Sequence, residues 1–184
     1  HVKQRQALEL IPQVAAEFKE VFGRSSGGLV HTYRCEDADI RIVAMGSCLG
    51  TIKDAVDELR EETDLKIGVV GVKCFRPFPV EVMGEALEGA KTVVVLERTL
   101  AVGSGGVLSR DIMVSIKDPS VIRYTVIAGL GGRAITKASL KKMLKEAAAH
   151  QLETLTFMDL NKERKTRKSG PVPEALIRDA AMHQ

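Results

Sequence analysis

The chain has 184 residues, 45% hydrophobic and 28% charged, which suffices for one α/β domain with a core of its own and leaves little room for a second. The net charge is only +3, and outside the tail Lys and Arg alternate with Asp and Glu, so no extended basic face is offered to nucleic acid. Aromatic residues make up 4% and tryptophan is absent, which argues against an aromatic platform for bases or sugars.

No stretch approaches the roughly twenty apolar residues of a membrane span, so no membrane partner is expected. Cys35, Cys48 and Cys74 are odd in number and lack CxxC spacing. They signal neither a disulfide framework nor a zinc or iron–sulfur site, and a reducing cytoplasm suits them best. The start at His1 rather than Met is what a fragment or trimmed subunit would show, with no signal peptide ahead of the fold.

Taken in order, residues 1–22 carry a helical apolar stripe (Ala7, Ile11, Val14, Ala15, Phe18, Val21, Phe22) that Pro12 must begin or kink, ending at Gly23. A flexible Arg24–Gly28 turn leads to a short edge strand and an acidic turn over residues 29–39. Residues 40–79 describe a complete strand–helix–strand unit. Ile40–Met45 is short, apolar and β-branched, as a strand covered on both faces is. From Thr51, the positions Ile52, Ala55, Val56 and Leu59 predict a helix laying one stripe on the sheet, followed by a strand over Lys66–Val72. The obligatory right-handed crossover puts the Gly46 turn at the carboxyl edge, where open α/β sheets bind ligands.

Further on, a helix is predicted over Val80–Ala90, a strand over Thr92–Leu96 with Glu97 and Arg98 at its carboxyl end, and a Gly103–Gly106 loop feeding a helix through Val107, Leu108, Ile112 and Ile116. A strand over Val121–Ala128 then leads to a last helix that Thr136 can cap, striped by Leu140, Met143, Leu144, Ala147 and Ala148. The alternation predicts an open, mostly parallel sheet with helices on both faces. Three parts are expected: an N-terminal helix and edge segment (1–39), the α/β domain (40–149) and an extended interface tail (150–184). In that tail the periodicity decays into a charge run over Asn161–Ser169. It either wraps a neighbouring domain or subunit or is a solvated terminus.

Three glycine-bearing turns follow strands: Gly46-Ser47-Cys48-Leu49-Gly50-Thr51, Gly103-Ser104-Gly105-Gly106 and Gly129-Leu130-Gly131-Gly132-Arg133. Their backbone N–H groups could hold a phosphate or carboxylate at a helix start, or the glycines simply let strand turn tightly into helix. None spells a dinucleotide fingerprint or a P-loop. The anion candidates are Gly46, Ser47, Gly50 and Thr51 in the first turn, and Gly131, Gly132 and the built-in cation Arg133 in the last. Arg76, in the rigid Arg76-Pro77-Phe78-Pro79 turn at the same edge, could grip an anion, pair with Glu97 or cap a carbonyl. For covalent or acid–base chemistry the chain is poor. Ser47 lacks evident His and carboxylate partners, the four histidines fall outside the expected sheet edge, and Cys48 would be activated at its helix start only if exposed.

A Gly-Ser turn after the first core strand (Gly46, Ser47), Val-Asp-x-Leu-Arg in the helix (Val56–Arg60), Arg-Pro-Phe-Pro (Arg76–Pro79), Leu-Glu-Arg (Leu96–Arg98) and Gly-Leu-Gly-Gly-Arg (Gly129–Arg133) stand in register over about a hundred residues. In this order the chain resembles the 2-oxoacid:ferredoxin oxidoreductases, specifically the carboxyl-terminal, transketolase C-terminal-like half of the pyruvate:ferredoxin oxidoreductase (pyruvate synthase) alpha subunit. The resemblance extends to residues 18–24, 33–39 and 168–178. It implies an enzyme that uses thiamine diphosphate with Mg to decarboxylate a 2-oxoacid, passes electrons through iron–sulfur clusters to ferredoxin, and forms acyl-CoA from coenzyme A. It also implies that the thiamine site and cluster cysteines lie in other domains or subunits. This chain would then be a non-catalytic, cytoplasmic assembly domain and could line an anion or coenzyme A channel. Two alternatives remain: a stand-alone nucleotide, coenzyme A or anion-binding module, and the C-terminal domain of another transketolase-like or 2-oxoacid oxidoreductase subunit.

Overall fold

In the computed structural model, residues 2–160 are described. The central strand is β2 (Ile40–Met45), whose residues 40–44 are all buried. Parallel partners flank it on both sides, β3 (Ile67–Val72) and β4 (Thr92–Glu97), and β5 (Ile122–Ile127) continues beyond β4. Every residue of β3 and β4 is buried, the pattern of strands covered on both faces. β1 (Val30–Tyr33) closes one edge antiparallel to β3, and β6 (Leu155–Phe157) closes the other parallel to β5, giving the order β1-β3-β2-β4-β5-β6.

The apolar stripes explain the layers. On one face α2 (Cys48–Glu62) and α5 (Lys137–Ala148) bury Ile52, Val56, Leu59, Leu140 and Leu144 against Ile42, Val69 and Val94. On the other, α3 (Val80–Leu87) and α4 (Val107–Ser115) bury Met83, Leu87, Leu108 and Ile112 against Val43, Val70, Val93 and Val95. Burying a Leu or Ile side chain is worth about 1.5–3 kcal/mol, so these two layers carry most of the stability. Thr136 caps α5 by accepting the Ser139 N–H at 3.1 Å, as the sequence predicts.

The structure refines the expected elements in four places. The helix after β2 starts at Cys48 rather than Thr51, so three residues assigned to a turn, Cys48, Leu49 and Gly50, join its first turn. The helix α1 runs Val2–Phe22 straight through Pro12. None of its residues is buried, so water can satisfy the carbonyl that the proline leaves without a donor. It ends on Gly23, whose φ of +68° and N–H bond to the Lys19 carbonyl (2.9 Å) form the left-handed stop that a helix C-terminus favours. Residues 155–157, expected in the tail, form β6, and β1 joins the same sheet, so the sheet reaches past both ends of 40–149. Finally, the apolar run of β2 hides a charge. Arg41 is buried and donates to the carbonyls of Ala86 (2.9 Å) and Cys35 (3.2 Å), tying α3 and the β1–β2 connection to the central strand. The charge run over 161–169 and the rest of the tail after it lie outside the described residues.

Candidate functional site

The chain order reverses direction across the sheet between β2 and β4. The chain first steps outward from β2 to β3, then crosses back to β4 on the other side. Such a switch point leaves a crevice at the carboxyl ends of the two strands, because the following helices leave on opposite faces. Here α2 leaves β2 on one face and α4 follows β4 on the other.

A cavity of about 220 Å³ occupies that crevice. Met45 comes from the end of β2 and Cys48 from the start of α2, while Leu96, Glu97 and Arg98 come from the end of β4. Leu108 enters from α4, Phe75 from the loop after β3, and Ile135 from the connection to α5. The lining is largely apolar, with Arg98 as its cation. The Arg98 Nη2 donates to the carbonyl of Gly129 at 3.3 Å, which fixes the guanidinium beside the third glycine turn.

Glu97 is the carboxylate of this edge, and it is spent inside the protein. It is only 6% exposed. Its Oε2 accepts the N–H groups of Val107 (2.7 Å) and Leu108 (2.9 Å), while Oε1 accepts the Ser109 N–H (3.0 Å) and the Ser109 hydroxyl. The carboxylate therefore fills the N-terminus of α4, where both the free N–H groups and the helix dipole favour a negative charge. Gly106 is required by the same arrangement, since a Cβ there would overlap Glu97 Oε1. The Gly103–Gly106 loop thus serves an internal anion, not an external one.

The fold and this edge are those of a known family. A family model described as pyruvate:ferredoxin oxidoreductase core domain II matches residues 38–140. The chain belongs to that family. The matched span runs from just before β2 into α5 and so contains the switch point whole.

Relatives agree with the core domain II assignment. The chain is 40% identical over 168 residues to pyruvate synthase subunit PorA of Methanosarcina barkeri, covering 86% of this chain and 41% of that protein. It is 39% identical over 141 residues to PorA of Thermotoga maritima (76% and 36%). It is 38% identical over 143 residues to ketoisovalerate oxidoreductase subunit VorA of Pyrococcus horikoshii (77% and 36%). The domain II chain thus spans about two-fifths of the length of the curated relatives it matches.

Among solved structures it is similar to a 2-oxoglutarate:ferredoxin oxidoreductase from Magnetococcus marinus with 2-oxoglutarate, coenzyme A and succinyl-CoA bound. The TM-score is 0.53 at 26% identity, over 71% of this chain and 21% of that one. A split-gene transketolase, described as an inactive beta4 tetramer, shares the fold with a TM-score of 0.50 at 20% identity, over 70% of this chain and 44% of that one.

Within this core domain II chain the residues singled out from sequence lie at the carboxyl edge but outside the cavity. Gly46, with φ of +87°, Ser47 and Gly50 are exposed, and Thr51 is half-buried in α2. Gly131, Gly132 and Arg133 lie on an exposed short 3-10 turn, and the Arg133 Nη1 donates to the Asp159 carbonyl beyond β6. Arg76 does not pair with Glu97. It bridges to Asp111 Oδ2 at 2.9 Å, donates to the Phe75 carbonyl at 2.7 Å and stacks 3.9 Å from the Phe75 ring centroid.

Cys48 agrees with the expectation that its thiol is activated only if exposed, whereas His31 departs from the sequence expectation. Burial, the largest cause, pushes the Cys48 thiol up, and its Sγ donates to the Met45 carbonyl at 3.4 Å, so it rests as a neutral thiol. His31 lies in β1 opposite Gly71, one register position from the carboxyl end of β3 at Val72, and hence inside the edge from which all histidines were excluded. Its Nε2 lies 2.9 Å from Lys53 Nζ, and burial, then Lys53 and Lys73, hold it below the usual histidine range. Sequence reasoning missed the cavity wall. Leu96 falls in a predicted strand and Phe75 in no motif, and the strand order brings both to the wall shared with Met45 and Cys48.

Proposed function

We propose that this chain is the assembly domain of a 2-oxoacid:ferredoxin oxidoreductase subunit, the 2-oxoacid most readily assigned from its relatives being pyruvate. In this reading the complete cytoplasmic enzyme decarboxylates the 2-oxoacid with thiamine diphosphate and Mg, sends electrons through iron–sulfur clusters to ferredoxin and forms acyl-CoA. This chain carries none of those steps itself.

The donor set does not suit a cluster. Cys35, Cys48 and Cys74 are free and, among the described residues, belong to no group of three or more metal-ligating side chains. The clusters are assigned to other domains or subunits, and so, from the family resemblance, is the thiamine site.

The observation that carries the assembly role is α1. Twenty-one residues of helix bury nothing, while Leu10 (57%), Val14 (51%), Val21 (75%) and Phe22 (62%) stay exposed. An apolar stripe of that length is stable in water only when another surface covers it. The other domains and subunits of the same oxidoreductase are the partners proposed. Among the described residues no helix is long and apolar enough to cross a membrane.

Gly46, Ser47, Gly50, Thr51, Arg76, Gly131, Gly132 and Arg133 are proposed as the edge that meets an anion of coenzyme A in the assembled enzyme. Support comes from their common position at the carboxyl edge and from the coenzyme A bound in the Magnetococcus marinus enzyme. The test is co-expression of the chain with the remaining parts of the enzyme. Co-elution should be abolished by Val14→Glu with Phe22→Glu, while far-UV circular dichroism of the isolated chain is unchanged. Elution of the chain alone, monodisperse in both forms, would reject the assembly role. In the assembled enzyme, Arg133→Ala should raise KM for coenzyme A several-fold and leave kcat unchanged. An unaltered KM would remove Arg133 from the site.

A further inference from the structure

The switch-point cavity has a shape and chemistry of its own, separate from the exposed glycine turns. Its walls are Met45, Cys48, Phe75, Leu96, Leu108 and Ile135, drawn from both helical layers and from the ends of two central strands. Its volume of about 220 Å³ exceeds the roughly 150 Å³ in which an engineered apolar cavity binds benzene. A larger hollow of about 860 Å³ between α2 and α5 is walled by Glu58, Glu62, Lys137, Lys141 and Lys145, whose charges largely satisfy one another. Most of its lining residues are charged, with Ala138 and Ala149 as its apolar side chains.

The two charged residues at the cavity are not equivalent. Glu97 turns its oxygens to the N-terminus of α4 and receives four donors there, so its charge is neutralised where it stands. Arg98 is exposed, makes one hydrogen bond to a neutral carbonyl, and among the described residues forms no ion pair. An apolar chamber with one uncommitted guanidinium beside it selects a ligand with a compact apolar body and a single anionic end.

From this geometry we infer that the switch-point cavity is a binding site for a small apolar carboxylate, of aryl or branched-alkyl type, whose body fills the space between Met45, Phe75, Leu96 and Ile135 and whose carboxylate pairs with Arg98. Cys48 reports on occupancy, because its thiol lines the same wall.

Phenylacetate is the probe, with phenylacetamide as its neutral isostere and the full chain as the protein. Methyl-selective NMR should show saturable shifts at Leu96, Leu108 and Ile135, and phenylacetate should slow alkylation of Cys48 by iodoacetamide at least threefold. The amide should bind at least five-fold more weakly. Arg98→Gln should reduce phenylacetate to the affinity of the amide, and Arg98→Lys should restore part of the loss. Arg98 is exposed, so neither variant should disturb folding, and an unchanged methyl spectrum of the free protein checks this. Absence of methyl shifts together with unprotected Cys48 would overturn the site. Equal affinity for acid and amide would overturn the role of Arg98.

Discussion

The Glu97 Oε2 accepts the backbone N–H of Leu108 at 2.9 Å, and this bond joins the last residue of the central strand β4 to the first turn of α4. With the companion bonds from Val107 and Ser109, one side chain sets the angle at which α4 leaves the sheet and so the wall of the switch-point cavity. Glu97→Gln keeps the volume but replaces one acceptor oxygen with a donor that faces N–H groups. The expected loss is about 1.5–3 kcal/mol, the range for hydrogen bonds to charged groups, read as a lower urea midpoint at unchanged m-value.

Gly106→Ala tests the same joint from the other side. The new Cβ would occupy the position of Glu97 Oε1, so either the carboxylate or the helix start must move. We expect destabilisation of about 1–3 kcal/mol, as for overpacking of a buried site, and the double variant with Glu97→Gln should be less than additive. Additive losses would show that the two residues act independently.

Arg41 offers a different kind of test, because it is a buried cation without a carboxylate among its hydrogen-bond partners. Its planar fork reaches the carbonyls of Ala86 and Cys35 at once, which the single ammonium of lysine cannot reproduce. Arg41→Met should cost about 1–3 kcal/mol for carbonyls left without a donor, and Arg41→Lys should not recover it. Thermal or urea unfolding of the three proteins decides the matter.

In the core, Leu144→Ala should cost about 2–5 kcal/mol, the range for truncating a fully buried leucine. Leu155→Ala, at the 37% exposed start of β6, should cost far less in the same urea titration. Similar losses at both sites would show that β6 is a larger part of the cooperative unit than its burial indicates.

Stability should also depend on acidity. Hydrogen bonds from Lys137 and then Lys141 hold the Glu58 carboxyl below its usual range, and a hydrogen bond from Arg60 does the same for Asp37. Such carboxyls bind protons more weakly folded than unfolded, so their contribution is present above the ordinary carboxylate range and is lost as pH falls through the depressed folded values. Urea midpoints should therefore fall on acidification, with a shallower slope for Glu58→Gln and a smaller effect in high salt, because these groups are solvent-exposed. An identical slope for the variant would remove Glu58 from the account.

What the sequence determined by itself was the succession of elements. Short, continuous β-branched runs such as Ile40–Met45 and period-3.6 stripes such as Leu140, Met143, Leu144 and Ala147 state locally whether a segment is strand or helix, and Gly23 and Thr136 mark ends through their own backbone chemistry. The five motifs in register likewise carry the family resemblance, because motif order is a property of the chain alone. The three-residue strand β6 was not legible, since so short a segment carries no period and forms only because β5 offers an open edge.

The site was decided by tertiary structure. Whether Arg76 meets Glu97 or Asp111, whether Cys48 is buried, and whether Glu97 faces solvent or α4 all depend on which strands become neighbours. Met45 and Leu96 are 51 residues apart in sequence and share one wall only because β4 returns to the far side of β2. That crossover is set by the summed burial of two helical layers, a quantity that no local stretch of sequence contains.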